Sequence, residues 1–272
     1  MKRVVVLVLG LVLLAGCGAV VDTAVSPSSV HQTIPDAPTS NTAAAVPAPT
    51  NAEGEERFQL YAELPEEDIY LYEVRGRNPQ AGMVLFQGNS ANYFNDWEAA
   101  RRFNDLTEIA YRDFDGDGER EIGVITGSIA GGQGPSVRSL HILKVHEDTP
   151  YPNKEIKTIR YTEYAFTHND ATDYFKQRMT WKRGKQPHTL ELKIDGKTFL
   201  AHLHPLAWDE AKGVEVNLKI YFDFNDNGSI SFSGAVRTYY EEYPRYLGAF
   251  TADVIFDGRQ INLTNINFEP EN

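Results

Sequence analysis

The residues best suited to chemistry lie together in Asp113-Phe114-Asp115-Gly116-Asp117-Gly118-Glu119-Arg120-Glu121. Alternate carboxylates on a tight loop converge their oxygens on one point. A hard cation such as Ca2+ takes six to eight oxygens at about 2.3–2.6 Å. Gly118 permits the positive-φ turn that wraps chain around an ion. The expected ligand set is the side chains of Asp113, Asp115 and Asp117, the backbone carbonyl of Glu119 and the carboxylate of Glu121, which would close the shell as the next strand begins. The competing reading is a bare polar turn with solvated carboxylates, but so many like charges in one loop repel each other. The loop is not an EF-hand: that motif requires a bidentate Glu at position 12, which here is Val124.

Other candidates carry less. Asp223-Phe224-Asn225-Asp226-Asn227-Gly228-Ser229 echoes the acidic loop without the closing carboxylate, and a hairpin turn is the expectation. His202 and His204 share a strand face at a spacing zinc or copper could use, yet no third ligand is near and Pro205 follows. Gly127 to Gly134 is rich in glycine after a strand but lacks the Lys-Ser/Thr ending of a phosphate loop. No nucleophile elbow, zinc-protease helix or kinase motif is present, so no catalytic activity is expected. Paired carboxylates for glycoside hydrolysis pair in space, not in sequence. A calcium-supported extracellular hydrolase acting on cell-wall or secreted polymer is therefore the alternative. Tyr239, Tyr240, Tyr243 and Tyr246 are candidates for stacking on sugars or for packing.

The N-terminus carries a different chemistry. Met1-Lys2-Arg3 precedes an apolar run from Val4 to Leu14, then Ala15-Gly16-Cys17. A charged start, a short apolar stretch and small residues at the cut define a signal peptide. The run is too short to span a bilayer, which needs about 20 residues. Leu14-Ala15-Gly16-Cys17 resembles the lipobox of bacterial lipoproteins. That resemblance implies cleavage after residue 16 and a lipid on the Cys17 thiol, with the head on the outer face of a bacterial cell membrane. Cys17 is the sole cysteine, so it serves no intrachain disulfide. Residues 17–57 are rich in Ala, Pro, Ser and Thr, with no aromatic before Phe58. Such a stretch buries too little surface to offset its ordering entropy and is expected to be a tether.

Formal net charge is −12, and loss of Lys2 and Arg3 takes it to −14. An acidic surface disfavours nucleic acid. The expected contacts are the membrane through the lipid anchor, and a protein or cell-wall glycan partner.

The elements that must position the loop follow from alternation and turn chemistry. Asp68 to Val74, Met83 to Phe86, Glu121 to Thr126 and Ser139 to Val145 have strand character. Thr189 to Ile194 alternates strictly, Asp195-Gly196 turns, and Lys197 to Leu203 continues; Asp-Gly between strands is a strong hairpin signal. Asp257-Gly258 joins a second such pair, 252–256 and 260–268. Asn225 to Gly228 joins Val214–Phe222 to Ser229–Tyr239. Helices are expected at Ala171 to about Met179, capped by Asn169-Asp170, and at Trp97 to Phe103. The fold class is mainly β: antiparallel sheets in a sandwich or partly open barrel, with one or two short helices. Thr149-Pro150-Tyr151-Pro152-Asn153 divides it into sub-regions 58–148 and 156–270.

Tyr111 to Ile125 resembles the calcium loop of FG-GAP or VCBS-type repeats, as in integrin-like propellers. With Ile69-Tyr70-Leu71-Tyr72, Asp96-Trp97, the Gly-rich turn before Leu140-His141-Ile142-Leu143, and Thr251-Ala252-Asp253-Val254, the wider chain is similar to uncharacterised VCBS-repeat-containing lipoproteins of Gram-positive bacteria. The resemblance implies an extracellular location, calcium and no established activity. A propeller needs many repeats and one clear copy is present, so a propeller-like loop on one sheet is expected, not a whole propeller.

Overall fold

From Leu140 to Leu143 four consecutive residues are buried. Consecutive side chains of a strand point to opposite faces. Leu140 and Ile142 therefore bury one face and His141 and Leu143 the other, so this strand must be covered on both sides. The computed structural model shows how. It describes residues 58–74, 82–97, 108–129, 136–148, 158–203, 213–238 and 245–271, all inside one compact unit.

The first layer is an antiparallel sheet of β1 (Phe58–Leu64), β2 (Ile69–Val74), β3 (Met83–Gln87) and β4 (Ser90–Phe94), paired in that order. The middle layer begins with β5 (Glu108–Arg112), β6 (Glu121–Ile129), β7 (Ser136–Asp148) and β8 (Thr158–Phe166). After α1 (His168–Arg178), a three-stranded sheet is made of β9 (Met179–Arg183), β10 (Thr189–Ile194) and β11 (Lys197–His202). Strands β12 (Val214–Phe224), β13 (Ile230–Thr238), β14 (Arg245–Phe256) and β15 (Ile261–Pro270) then extend the middle layer in the order β15-β14-β13-β12-β7-β6-β5, with β8 on β7. The β12–β7 pair is parallel, at Ile220 and Val137; the other strand pairs are antiparallel.

Two hydrophobic layers result. On one face Ile69, Leu71, Met83, Leu85, Phe94 and Trp97 pack on Ile122, Val124, Leu143 and Tyr161. On the other, Ile125, Leu140, Ile142 and Phe166 join α1, β10, β11 and the inner faces of β12 to β15. Phe175 of α1 is fully buried there, stacked 5.6 Å from Phe232 and 5.1 Å from Phe250. The sub-regions set apart in the sequence share this sheet: β7 ends at Asp148 and pairs with β8 from Thr158 onward.

The mainly β class and the three marked hairpins are as expected, including the two-residue turn Asp195-Gly196 between Ile194 and Lys197. The helix differs by three residues at its start. Thr167 Oγ1 accepts the Asp170 N–H while the Asp170 carboxylate accepts the Thr167 N–H, a capping box that moves the cap upstream of Asn169. Met179 is already extended (ψ 130°) and opens β9. Of the expected helix at 97–103, all but Trp97 lies outside the described residues.

Phe175→Ala removes the ring that joins the helix to the sheet. It should cost about 3–5 kcal/mol of unfolding free energy, read as a lower denaturant midpoint at unchanged slope.

Candidate metal centre

The hairpin of β5 and β6 ends with Arg112 opposite Glu121, so residues 113–120 form its connection. The loop is folded by its own carboxylates. Asp113 accepts the Gly116 N–H at 2.6 Å and the Gly118 N–H at 2.9 Å. Asp115 accepts from Asp117 N–H at 3.1 Å, and Asp117 from Glu119 N–H at 2.8 Å. Gly118 has φ 91°, the left-handed conformation its position called for. Side-chain oxygens of Asp113, Asp115 and Asp117 lie within 4.8 Å of one another.

The Glu121 side chain, expected to close the shell, falls outside this cluster. Glu119 is exposed, and its N–H is spent on Asp117. Glu121 is buried, 1% exposed, and turns its carboxylate to the Phe114 N–H at 2.8 Å, tying the loop's start to the start of β6. Burial pushes its carboxyl above the usual carboxylate range, and the neighbouring Asp115 charge adds to this against the Phe114 hydrogen bond.

A cation already faces the loop. Lys144 lies on the Leu140 and Ile142 face of β7, and its Nζ meets Asp115 Oδ2 at 2.7 Å and Asp117 Oδ2 at 2.8 Å. Those two hydrogen bonds hold the Lys144 ammonium well above its ordinary pKa. The same lysine, then the Glu119 N–H, holds Asp117 below the usual carboxylate range. The Asp115 side chain is only 4% exposed, so its charge has little water to answer it. Lys144 was legible only as a lone cation in register with Leu140 and Ile142.

Two further turns brace the loop. Arg112 donates to the carbonyls of Asn225 and Ser229 at 3.4 and 3.3 Å, with its guanidinium over the neighbouring Phe114 and Phe224 rings at 4.8 and 5.2 Å. Burial lowers its pKa from the ordinary arginine value. Arg138 reaches Glu108, the Phe222 carbonyl and Asp223 at 2.9–3.0 Å. The 223–229 turn therefore spends Asp223 on an arginine, and its Asn227 side chain accepts from Ser229. It is a closed hairpin turn. From the far end of the sheet, Gly258 of the β14–β15 turn comes so close that a Cβ there would lie 2.7 Å from Asp115 Oδ2.

The remaining candidates scatter. Cys17, His204 and Tyr239, Tyr240 and Tyr243 lie outside the described residues, as does the Gly-rich stretch beyond Ile129. His202 is exposed on β11, and the Tyr246 ring carries Lys219 Nζ at 4.6 Å. One constellation had no sequence signal. Thr126 Oγ1 lies 3.2 Å from His141 Nε2, and His141 Nδ1 lies 2.8 Å from Glu163, which also accepts from Trp97 Nε1 at 2.8 Å. The order is that of nucleophile, base and orienting acid. Thr126 and His141 are 2% and 5% exposed, however, and the Glu163 oxygen is shared with the indole. The network ties β4's neighbour Trp97 to β6, β7 and β8, and satisfies polar groups inside the first hydrophobic layer.

Compared with protein-family models, with curated proteins and with solved structures, the chain matches none.

Gly258 has φ 81° in addition to its contact with Asp115. Gly258→Ala should destabilise the fold by about 1–3 kcal/mol, measured by thermal or urea unfolding, whereas alanine at the exposed neighbour Arg259 should leave it near wild type.

Proposed function

We propose that this chain is a bacterial lipoprotein, anchored through Cys17 on the outer face of the cell membrane. Its β-rich head is a non-catalytic binding module stabilised by calcium, with a protein or cell-wall glycan as partner. The observation that carries the calcium reading is the convergence of Asp113, Asp115 and Asp117 within 4.8 Å, on a loop whose backbone N–H groups already hold each carboxylate in place. An all-oxygen, anionic donor set suits a hard cation and not zinc or copper. The resemblance of Tyr111–Ile125 to FG-GAP and VCBS loops supports the same ion. Preorganised carboxylates lower the ordering cost of binding. The affinities of extracellular calcium modules, about 10⁻⁴–10⁻³ M, suit a site outside the cell.

Lys144 supports a second reading, in which the ammonium itself supplies the charge and the loop is a metal-free clasp. The two readings part on one variant. Under the calcium reading, wild-type protein binds Ca2+ saturably by calorimetry with Kd about 10⁻⁴–10⁻³ M. At about ten times Kd the ion adds roughly 1.4 kcal/mol of stability. Asp113→Ala with Asp117→Ala removes both effects. Lys144→Met melts lower than wild type in chelator and recovers when Ca2+ is added. A metal-free clasp gives no heat in wild type, and no recovery of Lys144→Met.

A further inference from the structure

One stretch of the described surface runs against the charge of the whole. Lys176, Arg178, Lys182, Arg183 and Lys185 fall within residues 176–185 with no carboxylate among them, in a chain of 38 acidic and 26 basic residues. They occupy the last turn of α1, the strand β9 and the start of the turn toward β10. No residue from Lys176 to Pro187 is buried, and the register sets Lys182 beside Glu191 on one face of the edge strand and Trp181 beside Leu192 on the other. β9 is the last strand of its sheet, and its outer side pairs with no described strand. At its centre stands Trp181, 36% exposed.

Lysine on an edge strand normally keeps other strands from adding to it, and that accounts for Lys182. It does not account for an exposed indole on the same edge, since edge protection removes large apolar rings. Local ion pairing also leaves the stretch positive. Lys182 meets Glu191 at 2.7 Å with its own side chain 71% exposed, and Arg178 meets Asp195 at 3.6 Å. Lys176 and Lys185 have no such partner among the described residues.

Tryptophan with flanking lysine and arginine is the composition that settles at a lipid–water boundary. The indole is apolar with one polar edge, and the cations face anionic headgroups. The cations here lie on long flexible side chains along a helix end, an edge strand and a turn. Such mobile cations beside an indole suit a plane of headgroup phosphates. We propose that the β9 edge docks edge-on against an anionic phospholipid surface, with Trp181 entering the headgroup region from one side of the strand and Lys176, Lys182 and Lys185 facing lipid phosphates. The acidic remainder of the molecule is repelled by the same surface, which fixes the docked orientation. This inference does not depend on calcium or on lipidation of Cys17.

The test is sedimentation of the full chain with vesicles of phosphatidylcholine alone, and of equal parts phosphatidylcholine and phosphatidylglycerol. The apolar segment Val4–Leu14 partitions into both, so the ratio of the two affinities is the reading. The wild-type ratio should favour the anionic vesicles and collapse as ionic strength rises. Lys176→Gln and Lys185→Gln should each lower it by about fivefold. Trp181→Ala should lower binding further and abolish the blue shift of tryptophan emission that anionic vesicles produce, while Trp181→Phe retains most of the binding. Circular dichroism checks that each variant is folded. Lys185→Gln alone, at an exposed turn position, serves as the fallback. A ratio near one, or a ratio untouched by these variants, overturns the proposal. So does capture by polyglutamate with the same variant sensitivity in the absence of vesicle binding, which would assign the stretch to an acidic polypeptide.

Discussion

Two hydrophobic layers need a common wall, and β7 is the strand on which that wall depends. Its Leu143 faces the β1–β4 sheet while Leu140 and Ile142 face the helix side. One edge of β7 is taken by β6 along the run from Ser136 to Leu143. The other is divided: β12 meets it in parallel at Val137, and β8 takes over from Leu140 to Asp148. The sheet therefore branches at β7, and this branch lets one chain build on both faces of a single layer. Antiparallel hairpins supply the rest by local connections, while the parallel contact needs the long excursion through β8, α1 and the β9–β11 sheet before β12 returns.

The same strand governs electrostatics. A register that buries Leu140 and Ile142 also carries Lys144 to that face, beyond the apolar layer and against the acidic loop. Asp113, Asp115 and Asp117 stand close enough to repel one another, and a positive charge relieves that repulsion. At 4 Å, two unit charges interact by about 1 kcal/mol in water and about 4 kcal/mol near a protein surface. The ammonium answers two of the three carboxylates, and backbone N–H groups answer the third. An incoming cation must compete with Lys144 for Asp115 and Asp117 while finding Asp113 already oriented. The lysine thus keeps the loop in shape and, under the proposed calcium reading, would weaken its hold on the ion.

What the sequence disclosed was local. Asp195-Gly196, Asp257-Gly258 and the Asn225–Gly228 turn each stand between runs whose alternation is unambiguous, and a turn with its flanking strands is settled within a dozen residues. The three aspartates of the loop were legible for the same reason, since their convergence is a property of one tight turn. Short strands with weak alternation were not. β5 is Glu-Ile-Ala-Tyr-Arg, half-buried throughout, and becomes a strand only because β6 lies beside it. The cap at Thr167 was missed because Asn169 and Asp170 are themselves good caps, and only the reciprocal Thr167–Asp170 pair decides between them. Lys144, Arg112 and Gly258 reach the loop from β7, from its own flank and from the final hairpin, and such pairings follow from strand order. The lipobox and tether, by contrast, rest on local composition, and lie outside the described residues.

The placement of the loop is itself an argument about what it does. It touches the β12–β13 turn through Arg112 and the β14–β15 turn through Gly258, so it ties the β5–β6 hairpin to both hairpins of the β12–β15 arm. Arg112 spends its guanidinium on two turn carbonyls and two aromatic faces, and its Nε is buried with no hydrogen-bond partner among the described residues. Such a half-buried arginine holds its position only while the turn and the rings hold theirs. A cation bound among Asp113, Asp115 and Asp117 would therefore stiffen more than its own loop. It would pull Asp115 against Lys144 and Gly258, and through them the last hairpin against β7. Under the proposed calcium reading, an ion in this place would act on the register between distant strands, which a loop that merely closed a hairpin could not reach.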